Sequence, residues 1–157
     1  MIILPEIENR ENYRSFSTLT RTLTLSQGCF SLLLVRCNCT QTQKQTVRQL
    51  LKVHKVQQLT VPKSTKTLYN FIHAEATARN WLNSTSPLSG LSICGLESVS
   101  CPDKFWQEAN FMRDRFPGAF PFPLIFWVTD EVHKKLIRLA PDLENIATSG
   151  ISFVPGP

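Results

Sequence analysis

Glycine is scarce in this sequence. Only six occur in 157 residues, and none falls between Gly28 and Gly90. That gap excludes a glycine-rich phosphate cradle at the one place that suggests it. Lys63-Ser64-Thr65 follows a strand-like run and looks like the end of a P-loop. Such a loop needs G-x-x-x-x-G-K-[ST], because glycines let backbone N–H groups close around phosphate. Pro62 stands where the second glycine belongs, and proline offers no N–H. Neither G-x-G-x-x-G nor G-x-S-x-G occurs.

Histidine is scarcer still, with three copies scattered along the chain. The five cysteines are odd in number, lie mainly at apolar positions, and have no zinc-ligand spacing. These features argue against a zinc-type metal centre and a Cys–His nucleophile pair. They fit reduced thiols in a cytoplasmic protein better than a disulfide framework. No run approaches the roughly 20 apolar residues of a membrane span. The start, MIILPEIENREN, lacks the basic and apolar regions of a secretory signal. The net charge is +5, but the basic residues are spread rather than clustered. Nucleic-acid binding is therefore not expected.

What is present is a globular pattern: 42% apolar and 18% charged residues, enough chain for one domain with a real core. Residues 1–12 read as a flexible arm, 13–154 as a single α/β domain and 155–157 as a tail. A helix is expected from Tyr13 to Ser26, broken by Gly28. Phe30–Arg36 is nearly continuous apolar sequence, as in a strand buried on both faces of a parallel sheet. Thr40 with Gln43 reads as a capping box for a helix burying Val47, Leu50, Leu51 and His54. A strand at Val56–Val61 precedes a helix capped by Ser64 or Thr65. A third strand at Leu91–Leu96 leads to a helix over 101–116, whose Phe105, Ala109, Met112 and Phe116 share one face. Leu124–Val128 is the fourth strand. Thr129 or Asp130 caps the next helix, whose acidic start and basic end suit the helix dipole. After Pro141 a polar connection leads to a last strand at Ile151–Val154. This alternation predicts a three-layer α/β sandwich with a mainly parallel sheet of about five strands, Rossmann-like or P-loop-NTPase-like but lacking the phosphate loop.

In open α/β sheets, ligands bind at the carboxyl ends of strands. That rule nominates Asn38 after the first strand, Lys63 and Ser64 after the second, Glu97 after the third, and Thr129 and Asp130 after the fourth. Glu97 and Asp130 together are candidates to hold a cation. Asp130, Ser64 and Asn38 also suit purely local cap and turn roles. Asn110, Arg113 and Asp114 form a second, structural polar cluster, placed to fix their helix against the sheet or a second domain.

The strings SGLSICGLESVS, ANFMRDRF and FPFPLIFWVTDEVHKKLIRLAPDLENIATSGISF, with FSLLLVRCN, carry a family resemblance. They resemble the N-terminal α/β module of large cyanobacterial proteins that continue into tetratricopeptide repeats or a signal-transducing P-loop NTPase region. The matching elements are Gly95-Leu96-Glu97, Asn110 with Arg113, Pro123-Leu124 with Trp127, and Ala140-Pro141-Asp142. Asp114 stands where the pattern has Glu, and Leu143–Ile146 lacks its aromatic pair. By fold analogy, Glu97 would take the place of a Walker B acid and Leu124–Thr129 that of a sensor strand. The absence of a phosphate loop, metal ligands and a nucleophile pair points to a non-catalytic interaction or regulatory module with no resident cofactor, and the resemblance adds a protein partner or fused domain. The alternative is a nucleotide-binding or nucleotide-sensing domain that takes a magnesium nucleotide at the strand ends.

Overall fold

The computed structural model describes residues 9–83, 85 and 87–155. The elements run α1 (Arg10–Leu25), β1 (Ser31–Cys37), α2 (Thr40–Val53), β2 (Val56–Thr60), α3 (Leu68–Ala78), β3 (Gly90–Cys94), α4 (Pro102–Phe111), α5 (Phe116–Ala119), β4 (Pro123–Val128), α6 (Asp130–Leu139), α7 (Pro141–Asn145) and β5 (Thr148–Phe153). Most of the expected N-terminal arm (residues 1–8) and the last two tail residues lie outside the described residues.

The five strands are all parallel, in the order β2-β3-β4-β1-β5. Helices cover both faces, which makes the architecture a three-layer α/β sandwich. Successive strand residues point to opposite faces. Leu33, Val35 and Cys37 therefore pack with α1 (Phe16, Leu19, Leu23) and α2 (Val47, Leu50). Leu32 and Leu34 pack with α3, α4, α6 and α7 through Ile72, Phe105, Leu136 and Leu143. β1 reads as an unbroken apolar run because both of its faces are covered.

The connections explain the two faces. From β1 the chain travels through α2 past β4 and β3 to the edge strand β2. It then steps back in the other direction, to β3, to β4 and past β1 to β5. Right-handed crossovers that reverse direction must change face. Neighbouring β1 and β4 thus send their next helices to opposite sides, which marks a topological switch point.

Several boundaries differ from those expected, for local reasons. α1 begins at Arg10, within the expected arm, because Asn9 caps it: its Oδ1 accepts from the amides of Glu11 (2.8 Å) and Asn12 (3.3 Å). The Asn12 side chain then pairs with Val154, donating to its carbonyl (2.7 Å) and accepting from its amide (2.9 Å). The capping box at Thr40 does not form; Cys39 is the N-cap and Thr40 is already helical. α3 starts after Thr67 rather than Ser64 or Thr65. Leu51 lies 43% exposed, and α2 turns Thr46 and Gln49 inward instead. The helix expected over 101–116 ends at Phe111; a 3-10 turn at Arg113–Arg115 separates it from α5. The polar connection after Pro141 is the short helix α7. β5 starts at Thr148 and carries an extra residue against β1 between Leu33 and Val35, which Gly150 accommodates at φ +105°.

Candidate functional site

The switch point sits where β1 and β4 end. In the parallel register Arg36 lies opposite Val128. Two residues further on, Asn38 meets Asp130. The Asn38 Oδ1 accepts from the Asp130 amide at 2.8 Å, and its Nδ2 donates to Asp130 Oδ2 at 2.9 Å. The Arg36 guanidinium lies 3.7 Å from Asp130 Oδ1. Thr129 is the N-cap of α6, its Oγ1 accepting from the Val132 amide at 3.1 Å. A helix start presents free amides and positive potential, which is what an anion would use. Here Asn38 takes the Asp130 amide and Thr129 the Val132 amide. The Arg36–Asp130 pair is open to water and adds little by itself. The two-bond Asn38 bracket is the stronger link, because one of its acceptors is a carboxylate.

Glu97 is placed elsewhere. β3 ends at Cys94, Gly95 adopts φ +82°, and Glu97 follows in a 3-10 turn, Leu96–Ser98. Backbone bonds brace this corner: Val61 donates to the Cys94 carbonyl (2.9 Å) and Ser100 to the Lys63 carbonyl (2.9 Å). Glu97 lines a half-open pocket of about 250 Å³ between α2 and the ends of β2 and β3. Thr40, Gln43 and Lys44 of α2 form one wall, Glu97 and Ser98 the other, and Val47 and Cys94 the apolar part. Asn38, Thr129 and Asp130 do not line it. The structure therefore does not assemble the candidate cation site of Glu97 with Asp130. Among the described residues no cluster of three or more metal-ligating side chains forms. Lys63 and Ser64 are exposed in the turn after β2, outside the pocket.

All five cysteines carry free thiols. Burial pushes the Cys94 thiol up, against hydrogen bonds from Ser92 and Gln43, so the pocket floor holds a neutral thiol. Beneath it Ser92, fully buried, accepts from the Trp127 indole at 2.7 Å and lies 3.8 Å from the Cys94 sulfur. Burial likewise raises Cys37. Cys39, at the head of α2, is lowered by a hydrogen bond from the Thr42 hydroxyl and by first-turn amides.

The polar cluster at the end of α4 and in the 3-10 turn after it reaches α7. Asn110 Oδ1 accepts from the amides of Asp142 and Leu143, each at 2.9 Å, and so caps α7 from outside the helix. Its Nδ2 reaches Asp142 Oδ2 at 3.3 Å. Arg113 donates to the Asn110 carbonyl at 2.9 Å and lies 3.8 Å from Asp142. Asp114 points outward, 89% exposed, with its carboxylate 3.9 Å from Arg113.

Sequence reasoning missed the α2 half of the pocket: Thr40, Gln43 and Lys44. The strand-end rule names the loop after β1. It does not say that the helix beyond it leans over β2 and β3. The strand order decides that, and no local motif carries it.

Fold and site together define an α/β domain with an all-parallel five-stranded sheet, side chains bonded across its switch point and a small pocket at the ends of β2 and β3. No protein-family model matches the chain, and no curated protein matches it. No helix among the described residues is long and apolar enough to cross a membrane.

Proposed function

We propose that this chain is a non-catalytic α/β interaction or regulatory module. The observation that carries the reading is the bracket between Asn38 and Asp130 at the switch point. It occupies the Asp130 amide, one of the donors that a phosphate would use there, and sets the Asp130 carboxylate beside it. Five free thiols fit a cytoplasmic setting. The resemblance to modules fused to repeats or NTPase regions supports a protein partner or a fused domain. The nucleotide-binding alternative has less to work with. The pocket at Glu97 measures about 250 Å³, below the roughly 300–1,000 Å³ of enclosed ligand sites.

A thermal-shift screen with ATP, GTP and their diphosphates, with and without magnesium, separates the two. The module reading expects no stabilisation by any of them. A binding nucleotide raises the melting temperature by mass action. A shift that disappears in Glu97→Ala would replace this reading with a nucleotide-sensing domain.

A further inference from the structure

The pocket between α2 and the ends of β2 and β3 holds two opposite charges that, among the described residues, no side chain pairs with. Lys44 projects from the second turn of α2, and Glu97 from the 3-10 turn after β3. Among the described residues neither makes an ion pair or hydrogen bond, with the other or with any third group. The pocket thus has a positive wall and a negative wall. The positive wall is reinforced by the start of a 14-residue helix, whose dipole favours a carboxylate. Between the walls stand neutral hydrogen-bonding groups, Gln58 and Thr60 of β2, and an apolar patch of Val47 and Cys94.

We propose that this pocket binds a free amino acid as its zwitterion, with the carboxylate toward Lys44 and the head of α2 and the ammonium toward Glu97. A lone anion would face the Glu97 carboxylate, and a lone cation would face Lys44 and the helix start. A zwitterion satisfies both poles at once. The volume of about 250 Å³ suits a small or medium amino acid lying over the Val47–Cys94 patch, and is too small to enclose a nucleotide. The floor thiol stays protonated because it is buried, so the site holds its ligand without attacking it. The inference goes beyond the proposed function, because the pocket would take its ligand whether or not the domain also docks a protein.

The test is an NMR titration of the ¹⁵N-labelled full chain with the free proteinogenic amino acids, one at a time. Any that binds is followed by its deaminated and decarboxylated counterparts. The proposal expects at least one amino acid to move the amides of Gln43, Gly95 and Ser98 saturably. Neither counterpart should do so, and Glu97→Gln and Lys44→Met should each abolish the response. Both substitutions are at exposed positions, and matching spectra elsewhere will show that the fold is kept. The proposal is overturned if no amino acid moves those amides, if a counterpart binds as well as its parent, or if the two variants respond like the wild type.

Discussion

Asparagine side chains make much of the joinery between elements. Asn9 caps α1, Asn12 pairs with the backbone at Val154, Asn38 brackets Asp130, and Asn110 caps α7. Each offers an acceptor and a donor on one short, rigid group, so it can stand in for a missing peptide partner. Asn110→Ala should therefore cost about 1–2 kcal/mol in urea unfolding, the usual range for a lost helix cap. Asn110→Asp keeps the acceptor but sets a carboxylate against Asp142, so it should recover only part of the loss. His54 gives a pH signature. It ends α2, where the dipole favours a cation, yet burial dominates and lowers it below its ordinary 6.5. The unfolded chain then takes the proton first. Stability should fall as pH drops through that value and level off once the folded protein is protonated too. Melting curves from neutral to mildly acidic pH should show this component in wild type and lack it in His54→Gln.

Whole elements follow from patterning, and their ends from turn chemistry. β1 was legible because Leu32, Leu33, Leu34 and Val35 are all buried, on alternate faces. The burial of Phe105, Ala109, Met112 and Phe116 was equally legible, although α4 carries only the first two and the others follow its end at Phe111. Helix starts were less so. Thr40 and Ser64 have the right side chains for caps, yet the backbone turns helical after Cys39 and Thr67. Cap preference is worth about 1 kcal/mol, and packing of the helix against the sheet outweighs it. The exit of β3 shows the reverse, a single residue that the geometry demands. Gly95 has φ +82°, and a Cβ there would lie 3.1 Å from Thr60 Cγ2 and 3.1 Å from the Val61 carbonyl oxygen. Gly95→Ala should destabilise by more than about 1 kcal/mol in urea unfolding, from strain and crowding together. Gly118→Ala, where the added carbon meets nothing within 4 Å, should not.

At the scale of the molecule, the parallel α/β class was readable from alternation alone, but the strand order was not. That order puts Asn38 beside Asp130, and it carries α2 over to Glu97. The same limit hid the link between Asn110 and Asp142, 32 residues apart in the chain. Each side chain was visible as a polar residue, at a turn or, for Asn110, on a helix; its partner was set by topology. The central claim is that the chain's own side chains fill the β1–β4 switch point. The most direct measurement follows two NMR signals, the Asn38 side-chain amide and the Asp130 backbone amide, while magnesium ATP is added. If the bracket is structural, both signals stay in place throughout. Saturable movement of both signals would show a ligand entering the crevice and would contradict the account.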